Sequence, residues 1–114
     1  MTSATTEFFE ALRERGHEPM LGKTSGSMRF DVSNGKRTER WFVSIDKGDI
    51  AVSKKNAAAD CIVRGRRDVF DSVTSGEVNA MAAILRGALS LEGETLLAVL
   101  FQRLLPAPPK RGRK

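Results

Sequence analysis

The stretch that decides the fold runs from Gly76 to Leu105. It reads Gly76-Glu77-Val78-Asn79-Ala80-Met81, then Ile84-Leu85, then Gly87-Ala88-Leu89-Ser90-Leu91-Glu92-Gly93, then Leu96-Leu97-Ala98-Val99-Leu100-Phe101, ending in Leu104-Leu105. It predicts a short helix, a strand bracketed by glycines, and a second helix with more apolar surface than a sheet can cover. At about 100° per residue, Leu96, Leu97, Ala98, Leu100, Phe101, Leu104 and Leu105 span roughly 200° of that helix, where a surface helix needs a stripe of only roughly 100°. One flank can lie on a sheet. The other needs a second oily neighbour: another helix, a partner chain, a membrane or a bound lipid.

Upstream of this stretch the pattern is mixed. Val69, Phe70 and Val73 make a small helical face that stops near Ser75-Gly76. Asn79 is placed to cap a helix over Ala80 to Arg86, with Met81, Ile84 and Leu85 inward and Gly87 as its stop. Further back the period becomes two. Met28, Phe30 and Val32 alternate with Ser27, Arg29 and Asp31 in a first strand. Asn34-Gly35 signals a turn. A second strand over Arg40 to Ile45 sets Trp41, Val43 and Ile45 on one face. Lys47-Gly48-Asp49 turns the chain into a short third strand with Ile50 and Val52, and Asp60 to Arg64 gives a fourth. Consecutive short strands with tight turns predict antiparallel neighbours. A helix over Glu7 to Arg15, capped by Thr5 or Thr6 and closed by Gly16, opens the chain, and His17 to Ser25 reads as a connector. The order is helix, four strands, two helices, strand, helix: an α+β domain with helices on one face of a five-stranded, mainly antiparallel sheet.

Composition narrows the function classes. The 114 residues suit one domain with one core, taken as 1–105, followed by a Pro-rich basic tail over 106–114. No apolar run approaches the roughly 20 residues that span a bilayer, and the first residues lack a signal peptide's basic start and apolar core, so a cytoplasmic location is expected. Of 19 Lys and Arg residues, Lys110, Arg111, Arg113 and Lys114 lie in the tail, and the remaining 15 face 14 acidic residues. The folded part is nearly neutral, so no nucleic-acid partner is expected. The tail reads as a solvated appendage, with weak contact to an anionic membrane as its secondary role.

Catalytic chemistry finds little support. His17 is the only histidine and pairs by spacing with no acid or nucleophile. Cys61 lies mid-strand beside Ile62 and Val63, with no sequence neighbour to lower its pKa. Gly22-Lys23-Thr24 lacks the first glycine of a phosphate-binding loop, since the position five before Gly22 is His17. No metal-ligand cluster appears. An apolar interior remains, and small-molecule sites are mostly apolar clefts with a few polar anchors. Spacing alone favours simple packing of Met81, Ile84, Leu97 and Phe101 over a ligand cavity.

A resemblance shifts that balance. Ala59-Asp60-Cys61-Ile62-Val63, then Phe70, then Gly76 to Met81, then Gly87 to Gly93 and an apolar helix form a gapless run that resembles the sterol carrier protein 2 (SCP-2) family, in its stand-alone bacterial form. The likeness extends back through Gly26 to Val32 and Trp41 to Val52. It implies a hydrophobic tunnel between sheet and helices. It also implies non-catalytic carriage of a sterol, fatty acid, fatty acyl-CoA or phospholipid, without cofactor or metal. Strand face and helix rotation then set the expected lining as Phe70, Val73, Met81, Ile84, Leu85, Leu97, Phe101 and Leu104, facing Phe30, Trp41 and Val43. The alternative is an interaction or dimerisation module using the same apolar face; monomer and homodimer both stay open. The chain departs from the family at Ala80, where many members have proline. It departs again at Arg66-Arg67, where a Ser or Asp often opens the helix, and at Ala88, where lysine is usual.

Overall fold

The structure is a computed structural model that describes residues 3–106. The tail expected over 106–114 lies outside the described residues from 107 onward. Five strands form one sheet in the order β3-β2-β1-β4-β5. β1 (Ser25–Asn34) and β2 (Arg37–Asp46) pair antiparallel, with Phe30 opposite Trp41 and Met28 opposite Val43. β3 (Asp49–Ser53) continues the meander along β2. The alternation places Met28, Phe30, Val32, Trp41, Val43 and Ile45 on the buried face, as a half-buried strand requires.

β4 (Cys61–Arg66) departs from the expected order. It lies beside β1, in parallel, and does not touch β3. Residues 54–60 are no tight turn. They cross the open face of the sheet, where Arg29 Nη1 donates to the Ala57 carbonyl at 3.0 Å and the Ser27 amide donates to the Asp60 carboxylate at 3.0 Å. β5 (Leu89–Gly93) returns antiparallel to β4 at the sheet edge. The sheet is therefore mixed, with one parallel pair among three antiparallel ones.

Four helices cover the apolar face. α1 (Ala4–Arg15) begins earlier than expected, because Ser3 is the cap: its Oγ accepts from the Thr6 amide. Thr5 is committed elsewhere, its amide and hydroxyl both donating to Asp71 Oδ1 at 3.0 and 2.6 Å. That ties α1 to α2 (Arg67–Thr74). α2 starts at Arg66 with no side-chain cap, and Arg66 instead pairs with Asp68. α3 (Ala80–Leu85) is capped by Asn79 Oδ1, which accepts from the Ala82 amide at 3.1 Å. α4 (Thr95–Phe101) is shorter than expected; it tightens into a 3-10 turn over Gln102–Leu104. The connector after α1 holds a second 3-10 turn, Pro19–Leu21, that buries Leu21 completely. Among the described residues no helix is long and apolar enough to cross a membrane.

Candidate functional site

Between the sheet and the helix layer lies an apolar cavity of about 40 Å³. The strands supply Met28, Phe30, Val63 and Leu89 as its floor. Phe8 and Phe9 enter from α1, Phe70, Val73 and Thr74 from α2, and Ala80, Met81 and Ile84 from α3. Ala98, Phe101, Gln102 and Leu105 close it from the C-terminal end. Fourteen of these sixteen residues are apolar and none is charged. Aromatic edges and faces pack along the wall. The ring of Phe30 lies 5.1 Å from that of Phe101 and 5.0 Å from that of Phe9, and Phe8 meets Phe101 edge-on at 6.0 Å.

The two polar residues differ. The Thr74 hydroxyl is satisfied by the Phe70 carbonyl at 2.8 Å. Gln102 Oε1 is buried and accepts no hydrogen bond. Gln102 also borders a surface depression with Asn79, Ala80, Arg103 and Pro106, so it stands between the cavity and the outside.

Of the eleven residues expected at such a lining, Phe30, Phe70, Val73, Met81, Ile84 and Phe101 meet at the cavity. The other five lie elsewhere. Trp41 is wholly buried but sits behind Phe9, stacked on it at 5.0 Å with rings 14° apart. Lys54 Nζ lies 4.6 Å from the Trp41 ring centre. Val43 is buried in the same core, away from the cavity. Leu85 is 85% exposed, which corrects its expected inward direction. Small Ala83 seats fully buried on the sheet, and two residues at about 100° each turn Leu85 to the far side. Leu97 is buried against Gly26 and the Lys23–Thr24 turn. Leu104 is only partly buried and lies off the wall, because Ala98, Phe101, Gln102 and Leu105, at i, i+3, i+4 and i+7, make the helical face that meets the cavity.

Sequence reasoning missed Phe8, Phe9, Met28, Val63, Ala98 and Gln102 as wall residues. Phe8 and Phe9 carried a signal. Adjacent rings on one helix point about 100° apart, so one of them must find a second apolar neighbour.

The remaining reactive groups lie away from the cavity. His17 Nδ1 sits 2.7 Å from Asp49 Oδ1 at an exposed corner. Burial pushes the Cys61 thiol up, away from thiolate chemistry. Among the described residues no three His, Cys, Asp or Glu side chains gather as a metal site would need.

Helices thus cover one face of a mixed sheet, and the two layers enclose an uncharged apolar cavity. The chain belongs to the SCP-2 sterol transfer family, whose profile matches residues 7–106. Sterol carrier protein 2 from Yarrowia lipolytica, in its apo form, superposes with a TM-score of 0.74 at 22% identity, over 88% of each chain. Sterol carrier protein 2 of Aedes aegypti, solved in complex with the C16 fatty acid palmitate, superposes with a TM-score of 0.70 at 19% identity, over 92% of this chain and 99% of that one. In sequence, hydroxysteroid dehydrogenase-like protein 2 of Xenopus laevis is 25% identical over 105 residues, 90% of this chain. The chain spans about a quarter of the length of the curated relatives it matches.

Proposed function

We propose that this chain binds and carries a hydrophobic ligand with a single long alkyl chain, between sheet and helices, without covalent chemistry. The observation that carries this reading is a cavity wall with fourteen apolar residues, no charge, and one buried amide oxygen without a partner, Gln102 Oε1, at its outer end. Such a wall favours an alkyl chain over any polar ligand, since burying an unpaired polar group costs about 1–3 kcal/mol by protein mutational data. Gln102 offers the head group its one hydrogen-bonding side chain at the cavity end. The palmitate complex of the mosquito relative supports the choice of ligand class.

The cavity is small. Ligand pockets run to roughly 300–1,000 Å³, so binding must part the layers. α3 is the wall held by least burial, with Ala83 its one buried residue, against three each on α2 and α4. Its displacement exposes little core and widens the cavity beside Met81 and Ile84.

The test is titration of delipidated protein with palmitate, followed by Trp41 emission and by native mass spectrometry. Trp41 reports through Phe9, which touches both the indole and the cavity. Saturable one-to-one binding with a change in emission is expected. No bound mass at saturating palmitate, and none in organic extracts of the purified protein, would overturn the reading.

A further inference from the structure

The helices leave the opposite face of the sheet without a cover over its outer half, and that face carries charge the cavity does not use. Arg40, Asp31 and Arg64 are register partners across β2, β1 and β4, and the next row is Thr38, Ser33 and Arg66. Neighbouring strands lie about 4.8 Å apart. Two arginine-bearing strands therefore flank a floor of Asp31 and Ser33, roughly 10 Å from one another.

The floor's own groups are already engaged. Arg29 holds Asp31 with two parallel bonds, Nε to Oδ1 at 2.8 Å and Nη2 to Oδ2 at 3.0 Å. The Ser33 hydroxyl donates to the Gly65 carbonyl at 3.2 Å. Arg40 is the odd member. Its Nε is buried, lies 3.7 Å from Asp31 Oδ1, and has no acceptor within hydrogen-bonding reach. Arg64 Nε reaches Asp31 Oδ2 only at 3.4 Å, and its Nη1 leans on the exposed Glu92. A groove of about 660 Å³ opens above these side chains, bounded further by Arg66, Val69 and Ala88. Arg37 and Arg67 border the adjoining depression, and neither forms an ion pair among the described residues. The groove has donors in surplus and a buried one without an acceptor, and such a donor is costly to leave unmade.

We propose that this groove is an anion site that takes a phosphate group between Arg40 and Arg64. A phosphate places several acceptor oxygens around one centre, so it can receive from both arginine strands at once. A carboxylate offers two oxygens in one plane and matches a single guanidinium better. The site stands on the face opposite the apolar cavity and does not depend on that cavity holding a lipid. Free phosphate and the phosphate of an amphiphile's head group present the same chemistry to these arginines.

The experiment uses the full chain at low salt, with inorganic pyrophosphate as the first probe and phosphatidylcholine vesicles doped with phosphatidic acid as the second. Saturable shifts of the Arg40 and Arg64 Nε resonances on adding pyrophosphate are expected. Arg40→Gln and Arg64→Gln should each weaken binding at least tenfold, and Arg13→Gln, on α1, should leave it unchanged. Binding to the doped vesicles that is lost in Arg40→Gln assigns the site to a head group; binding to pyrophosphate alone assigns it to a soluble phosphate. Circular dichroism of each variant separates lost binding from lost fold, and the wild-type resonances test the site without any substitution. Unshifted Nε signals at millimolar pyrophosphate, or Arg40→Gln binding as wild type does, would overturn the proposal.

Discussion

Ala98 and Leu97 are neighbours on α4 with opposite surroundings, and substituting each tests where the ligand lies. Ala98 faces the cavity; Leu97 is buried against Gly26, outside it. Ala98→Leu drives a branched side chain into a void of about 40 Å³. At about 24 cal/mol per Å³, filling that void recovers about 1 kcal/mol. Overpacking opposes this by about 1–3 kcal/mol where the neighbours cannot yield. Stability should therefore stay within about 1 kcal/mol of wild type or fall slightly below it. Alkyl binding should disappear, because the added carbons occupy the space the chain needs.

Leu97→Ala is the converse. It removes buried carbons from a packed site and should cost about 2–3 kcal/mol, the lower part of the range for such truncations. It leaves the cavity wall in place, so the folded protein should bind as before. Urea midpoints at unchanged m-value give the stabilities. Titration with a fluorescent long-chain fatty acid gives the binding. Normal binding by a folded Ala98→Leu protein would place the ligand elsewhere. Loss of binding in folded Leu97→Ala would return Leu97 to the lining and refute the wall described above.

The glycines around β5 should separate backbone strain from close approach. Gly87 has φ of +82° and open space where a Cβ would stand, so Gly87→Ala should cost about 1–2 kcal/mol in the urea midpoint from conformation alone. Gly93 has φ of +96° and its Cβ would collide with the Asp60 carbonyl oxygen, so Gly93→Ala should cost about 3 kcal/mol or more; equal midpoints would refute the distinction. Burial alone would push the Asp31 carboxyl up, but the Arg29 hydrogen bonds, with the charges of Arg29 and Arg40, hold it below its ordinary value. Its contribution is therefore present at neutral pH and is lost as pH falls below about 4 through the folded-state value. Asp31→Asn should lower the melting temperature at pH 7 and flatten its fall in acid; parallel acid curves for the two proteins would contradict this. Asn79→Ala should cost about 1 kcal/mol or less of global stability through the lost cap, yet speed fatty-acid exchange in stopped flow if α3 is the wall that yields.

Much of this fold was legible in local chemistry. The alternation at Met28, Phe30 and Val32, and again at Trp41, Val43 and Ile45, gave the correct buried face because the period of a strand is set by its backbone. Asn79 and Gly16 marked helix ends for the same local reason. The position of β4 was not legible. Nothing in Asp60 to Arg64 states whether its partner is β3 or β1; that is settled by the path of residues 54–60 and by Arg29 reaching Ala57. The rotation of α3 was equally hidden. Met81, Ile84 and Leu85 make as good an inward face as Ala80, Ala83 and Ile84, and only the close seat of Ala83 decides between them.

The oversized apolar arc of the last helix resolves into three parts with different neighbours. Leu97 and Ala98 turn toward the sheet and the cavity, and Phe101 closes the cavity against Phe8 and Phe30. Leu96, at 63% exposed, and Val99 remain in water. Burying a leucine fully is worth roughly 1.5–3 kcal/mol, so Leu96 contributes little to this fold. Of the last-helix residues expected to meet a second oily neighbour, Phe101 lines the cavity, while Leu97 and Leu104 do not. The interior neighbour belongs to Ala98 and Phe101, on the edge where α4 tightens into its 3-10 turn. Ala98, Phe101, Gln102 and Leu105 share one helical face at i, i+3, i+4 and i+7, and Gln102 is its polar interruption at the cavity's outer end. Ordinary helical spacing thus leaves Leu104 off the wall and sets a buried acceptor without a partner, Gln102 Oε1, into it.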